Sequence, residues 1–273
     1  MEEIKDIKPQ QSIELLKALH ILTRDGKLNQ DSRRKLKQVY HLHQLIEPCL
    51  EKALAANPHF SLVDHGAGKS YLGFILYDLF LKEKGGELYA IEHRSELIEK
   101  AKKLADTLKF DRMHFFASDI KDSLVDRNLP NQVDIVTALH ACDTATDDAI
   151  LFGLKKKAQY IVIIPCCQAE VAKTLKLDKS DQLKYTLSEL WRHPIHTREF
   201  GSHMTNVLRC LLLEGMGYKV TVTELVGWEH SMKNELILAE NIHQPKKMAL
   251  DRLEEILKTC HLESLKSRFL PII

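Results

Sequence analysis

The chain has 273 residues, 44% of them hydrophobic, and 39 basic against 38 acidic side chains leave a formal charge of +1. That length can bury one large α/β core with a small appendage, and the near-neutral charge excludes a globally basic nucleic-acid binder without bearing on local patches. Apolar runs are broken by charges well short of the ~20 residues a membrane-spanning helix needs, and six cysteines with neither a disulfide-like framework nor a signal peptide point to a reducing cytoplasm.

Helical periodicity extends through about residue 56, interrupted by the turn-prone stretch Arg24 to Ser32. Asp31 or Ser32 is expected to cap the following helix, in which Leu36, Val39, Tyr40, Leu42, Leu45, Ile46 and Leu50 fall at helical spacing. From there strand and helix alternate. Strands are predicted near 60–64, 87–92, 112–118, 133–140 and 159–165, with helices near 69–84, 94–109 and 144–156. A polar, lysine-rich stretch from about 169 to 185 precedes a helix around Met204 to Gly215. YKVTVTELV and ELILAE then form a hairpin, and a last helix starts near Lys246. Such alternation predicts a mostly parallel Rossmann-like sheet closed by an antiparallel last strand. It divides the chain into an N-terminal helical segment, 1–56, and an α/β domain, 57–273.

Phe60 to Ser70 is the most telling stretch: an apolar strand ends in Asp64 and opens into the turn DHGAGKS. Gly66 and Gly68 allow a sharp turn and close approach to a ligand, and a helix from Lys69 would aim amide donors at it. A phosphate-cradling loop, G-x-x-x-x-G-K-[ST], fails because Val63 stands where the first glycine is required. A dinucleotide fingerprint fails at Tyr71, where a small residue is wanted. An S-adenosylmethionine site suits better, because Asp64 offers a carboxylate to the methionine ammonium. Glu92, ending the second strand, can accept both ribose hydroxyls. Asp119, after the third strand, can grip an adenine edge together with the Ile120 backbone. His65, Lys69, His93 and His140 flank these positions and complete the candidate cofactor set.

The glycine turn with LHACDTATDDAI (Leu139 to Ile150) and IPCC (Ile164 to Cys167) resembles a class I S-adenosylmethionine-dependent methyltransferase. More narrowly, it resembles the methyltransferase-domain family that includes eukaryotic tRNA 2′-O-methyltransferases and glutathione S-transferase C-terminal-domain-containing proteins. The resemblance spans roughly residues 33–240. Ser70 departs from it, since the family usually has glycine there, and the Cys/His zinc-finger segments of the tRNA enzymes are lacking. The resemblance implies a seven-stranded sheet, S-adenosyl-L-methionine as cofactor, and RNA, tRNA or rRNA, as acceptor. A protein side chain is the rival acceptor, and a cofactor-binding module without turnover is the rival of another class.

Chemistry is expected where the fourth and fifth strands end, outside the carboxyl edge of the sheet. His140, Cys142 and Asp143 lie on one strand end and Cys166 and Cys167 on its neighbour, about 4.8 Å away. Four readings stay open. The thiols could attack a pyrimidine ring. The His and Cys side chains could hold zinc, although adjacent cysteines suit it less than C-x-x-C; no metal is assigned. His140 or Asp143 could serve as base or orienting group for an oxygen or nitrogen nucleophile. Or the thiols pack, and His140 and Asp143 cap the next helix. Two basic runs, Arg33, Arg34, Lys35 with Lys37 and Lys155 to Lys157, are candidate phosphate contacts, and the turn Glu229 to Asn234 resembles a family turn beside the acceptor.

Overall fold

The structure is a computed structural model that describes residues 7–139, 141, 143–166, 168–177, 190, 192–225 and 235–272. His140, Cys142, Cys167 and the 229–234 turn therefore lie outside the described residues.

Helix α1 (Ile13–Ala18) is capped by Ser12, whose hydroxyl accepts from the Leu15 amide. Helix α2 (Gln30–Ala56) begins earlier than expected: Asn29 is its cap, accepting from the Ser32 amide at 2.8 Å. Asp31 instead pairs along the helix with Arg34 and Lys35. The predicted stripe is buried at Leu36, Val39, Leu42, Ile46 and Leu50, while Tyr40 and Leu45 stay half-buried. Ile46 and Leu50 share one apolar cluster with Leu62, Phe74, Leu88 and Val162, so α2 packs into the core of the sheet.

Strand β1 (Ser61–His65) is buried along its whole length and leads through the glycine turn to α3 (Tyr71–Leu76). A π-helical turn, Tyr77–Leu81, joins α3 to α4 (Lys82–Lys84). The chain can then reverse because Gly86 has φ +90° and sits where a Cβ would lie 2.5 Å from the Phe60 ring. Strand β2 (Glu87–Glu92), α5 (Ser95–Leu108) and β3 (Met113–Ala117) follow as predicted. Helix α6 (Ile120–Val125) was not expected. After β4 (Ile135–Leu139), α7 (Thr144–Lys155) and β5 (Tyr160–Ile164), the lysine-rich stretch begins with a helix, α8 (Glu170–Leu177). Helix α9 (Pro194–Gly215) starts ten residues before the predicted one, with Pro194 in its first turn, where a missing amide costs nothing. Strands β6 (Tyr218–Glu224) and β7 (Glu235–Asn241), α10 (Lys247–Thr259) and α11 (Lys266–Phe269) complete the described chain.

The seven strands lie in the order β3-β2-β1-β4-β5-β7-β6, all parallel except β7, which runs antiparallel to both β5 and β6. Period-2 alternation divides the core into two faces. Leu62 and Val162 face α2, α3 and α5, whereas Val63, Val136 and Ile161 face Phe152 of α7, Leu208 of α9 and Leu253 of α10. Each fully buried Val, Leu or Ile side chain contributes about 1.5–3 kcal/mol, so slipping β1 or β5 by one residue would exchange the two faces at prohibitive cost. The register is thereby fixed, and strand order reverses between β1 and β4, opening a crevice at their carboxyl ends. No described helix is long and apolar enough to cross a membrane.

Candidate active site

The glycine turn sits at this crevice. Gly66 has φ +67° and Gly68 φ +58°, which glycine alone adopts without cost. A Cβ at Gly66 would lie 3.3 Å from the Ala141 Cβ, so the turn after β1 presses closely on the loop after β4. Three amides of the turn are engaged within the protein. The Ala67 amide donates to the Ile91 carbonyl, the Gly68 amide to Glu92, and the Ser70 amide to the Ala67 carbonyl. The helix begins at Tyr71 rather than Lys69, which is exposed on the turn.

Asp64 and His65 are adjacent but face opposite sides of the sheet. Asp64 is buried on the α3 side, where its carboxylate accepts from the Thr137 hydroxyl at 3.0 Å and from the Gly73 amide. Burial pushes its carboxyl up to about 7, against those two hydrogen bonds. The acid that opens the motif thus lies behind the turn rather than open in the crevice. His65 packs its ring 5.2 Å from that of Phe152 on the α7 side. Neither ring nitrogen has a hydrogen-bond partner among the described residues, and burial lowers its pKa to about 4, opposed by the charge of Glu92.

Glu92 ends β2 with its side chain 4% exposed. It accepts from the Gly68 amide at 2.8 Å and from the backbone amide and Nε of Arg94 at 3.2 and 2.8 Å. His93 Nδ1 lies 3.0 Å away. Burial alone would raise the Glu92 carboxyl, but the bonds from Arg94 and Gly68 outweigh it and hold the group below its ordinary value. Asp119 is exposed beyond β3 and caps α6, accepting from the Asp122 amide at 2.9 Å, with Ile120 as the first helical residue. The structure therefore brings Glu92 against the glycine turn, whereas the Asp119 carboxylate is engaged in a cap.

On the other side of the crevice, Leu139 and Ile164 are the last paired residues of β4 and β5, so Cys166 lies just past the strand end and is half-buried. Asp143 makes no side-chain cap on α7. Its carboxylate reaches the next crossover and accepts from the Ala169 and Glu170 amides at 2.9 and 3.2 Å, capping α8. Among the described residues no group of three His, Cys, Asp or Glu side chains is placed to hold a metal ion.

Sequence reasoning gave no role to Arg209, Asp147 and Asn206, which tie this side together with Asp143. Arg209, 1% exposed, forms a bidentate pair with Asp147, Nε to Oδ1 at 2.7 Å and Nη2 to Oδ2 at 2.9 Å. It also reaches the Asp143 carbonyl and Asn206. The available signal was a single arginine inside the apolar run Val207 to Leu213. Within the basic runs, Arg34 and Lys35 pair with Asp31, and Lys156 is buried near the start of β4, where its carbonyl accepts from the Val133 amide.

Residues 34–174 match a family model described as a methyltransferase domain. A glutathione S-transferase C-terminal domain-containing protein of Homo sapiens is 28% identical over 233 residues, 79% of this chain and 34% of that protein. A homolog of that protein in Drosophila melanogaster is 24% identical over 217 residues, 69% of this chain and 34% of the homolog. The chain thus spans about a third of the length of these relatives. Among solved structures, the SAH-bound Podospora anserina methyltransferase PaMTH1 aligns with a TM-score of 0.46 at 10% identity, covering 84% of this chain and 86% of that one. M. capricolum TrmK in complex with S-adenosyl-homocysteine aligns with a TM-score of 0.41 at 13% identity, covering 78% of this chain and 83% of that one.

Proposed function

This chain belongs to the methyltransferase-domain family, and from that premise we propose that it is an S-adenosylmethionine-dependent methyltransferase that methylates RNA, with Glu92 as the principal anchor of the donor. The observation that carries the reading is the Glu92 carboxylate, hydrogen-bonded to the amide of Gly68 at the tip of β2. The residues present fit a cationic nucleoside and not a polyphosphate. Three amides of the turn are already satisfied, and a buried negative charge stands where phosphates would need donors. S-adenosylmethionine, when bound, supplies a methyl carbon that is already a strong electrophile, so alignment accounts for most of the rate.

In this reading Glu92 takes the ribose hydroxyls, the Gly66 to Gly68 turn lies along the donor, and His65, buried against Phe152, supports the turn from the α7 side. Asp64 acts from behind the turn by holding Thr137 and the Gly73 amide. His140 receives the proton of the attacking oxygen or nitrogen, and Cys142, Cys166 and Cys167 wall the acceptor side with Asp143. The acceptor class rests on the resemblance of the HACDTATD and IPCC motifs to tRNA 2′-O-methyltransferases. Residues 57–273 carry both sides of the reaction, and residues 1–56 brace them. The free-thiol chemistry suits a reducing, cytoplasmic setting.

Incubation of the protein with radiolabelled S-adenosylmethionine and separate RNA and protein fractions tests the proposal. Label in RNA is the expected result. Label in protein alone would replace RNA by a side-chain acceptor, and donor binding with no label in either fraction would leave a binding module.

A further inference from the structure

We propose that Arg209 is a positioning residue that sets the acceptor wall of the site while taking no part in holding the donor. The inference rests on the reading that the acceptor lies at the ends of β4 and β5. Four of the five guanidinium N–H donors are accounted for. Nε and one N–H of Nη2 hold Asp147, Nη2 also donates to the Asp143 carbonyl at 3.0 Å, and Nη1 donates to Asn206 Oδ1 at 3.1 Å. Asn206 in turn donates to Glu235 Oε2 at 2.6 Å and accepts from Gln168 Nε2 at 3.0 Å, and Ser202 donates to Gln168 Oε1 at 2.8 Å. Asp143 closes the circuit by accepting from the amides of Ala169 and Glu170.

Two hydrogen-bonded side chains of α9 therefore fasten three segments: Arg209 holds α7 and the loop after β4, and Asn206, oriented by Arg209, holds Gln168 after β5 and Glu235 at the start of β7. Every candidate residue on the acceptor side lies within three positions of a member of this network, His140 and Cys142 beside Asp143, Cys166 and Cys167 beside Gln168. A buried ion pair is a poor device for stability alone, since apolar residues of equal volume serve as well or better. A planar, five-donor group that fixes α7 and the loop after β4 relative to α9 is a device for geometry. No member of the network hydrogen-bonds to the glycine turn or to Glu92 among the described contacts, and the two sides meet through packing, as of Gly66 on Ala141, rather than through shared polar partners.

The test compares Arg209→Met and Arg209→Lys in the full chain by amide hydrogen exchange, calorimetry of S-adenosylmethionine binding, and methyl transfer to the labelled fraction. In Arg209→Met, protection at Ala169 and Glu170 should fall by about tenfold or more. Protection at Gly68 and donor affinity should stay as in the wild type, and kcat should fall about 100-fold, as for an ångström-scale misplacement. Arg209→Lys should recover part of kcat by restoring the charge beside Asp147. Unchanged protection at Ala169 and Glu170, or an equal loss at Gly68 together with weakened donor binding, would overturn the assignment. Should Arg209→Met fail to fold, Asn206→Ala, which leaves the ion pair intact, must show the same separation of kcat from donor affinity. The exchange and calorimetry arms need no acceptor, so a wild-type protein that labels no RNA would sink the acceptor class and not the positioning role.

Discussion

Thr137 on β4 donates to Asp64 on β1 at 3.0 Å, and the two residues are direct partners in the register across the boundary where strand order reverses. Both are buried, so this bond has no water to replace it. Thr137→Val keeps the shape and removes the donor, and it should cost about 1–3 kcal/mol because a buried carboxyl oxygen is left unsatisfied. Urea unfolding reads this directly. A loss near zero would mean that Asp64 finds another donor.

Asp64 and His65 should give opposite pH dependences of stability. Asp64 rises from 3.8 to about 7 on folding, so the folded state holds the extra proton; its contribution is complete below pH 3.8 and is lost as pH rises through 7. His65 falls from 6.5 to about 4, so the unfolded chain binds the extra proton; its contribution is complete above pH 6.5 and is lost as pH falls through 4. Each is on the order of 3–4 kcal/mol by linkage, and over the shared window they oppose one another. Asp64→Asn should therefore gain stability with rising pH between 4 and 6.5 relative to wild type, and His65→Phe should lose it. Parallel stability curves for all three proteins would contradict both assignments.

Glu92 and Arg94 make a linked prediction about the donor. Glu92→Gln should weaken S-adenosylmethionine binding about 10- to 100-fold, the equivalent of one charge-assisted hydrogen bond of about 1.5–3 kcal/mol. In the described structure the two carboxylate oxygens accept from Gly68, from the backbone and side chain of Arg94, and lie beside His93. A ribose diol has to displace the side-chain donors, since a carboxylate has about four acceptor positions. Arg94→Met should accordingly tighten donor binding in the same calorimetric experiment. Weaker binding by Arg94→Met would show instead that the guanidinium stays and contacts the donor.

Ser70 is a local liability. It has φ +54°, a conformation that costs an L residue about 1–2 kcal/mol, and its buried hydroxyl has no partner among the described residues. Both penalties vanish in Ser70→Gly, which returns the residue usual in the resembled family. The variant should be more stable by about 1 kcal/mol after the entropy cost of glycine, seen as a higher midpoint in thermal melting. A lower midpoint would reveal a hydrogen bond from Ser70 that the present arrangement does not display.

How far the fold could be read locally depends on where each element gets its stability. Strand β2 and helix α5 follow their patterns because burial alone decides them, and the glycine turn announces itself by residues that tolerate positive φ. Helices α6 and α8 are six and eight residues long, too short to form on propensity. The cap of α6 lies next to it at Asp119, but that of α8 comes from Asp143, 26 residues before Ala169, so no local pattern marks it.

By itself the sequence determined the alternation of strands and helices, the turn after β1 and the acidic residues at the strand ends, because period and backbone sterics act over a few neighbours. Only the tertiary structure decided what those acids do. Asp64 turns inward to Thr137, 73 residues away, Asp143 caps a distant helix, Asp147 meets Arg209 across 62 residues, and Glu92 accepts from the turn at Gly68. A carboxylate's role is set by its partners and its distance from water, and both are properties of the packed chain.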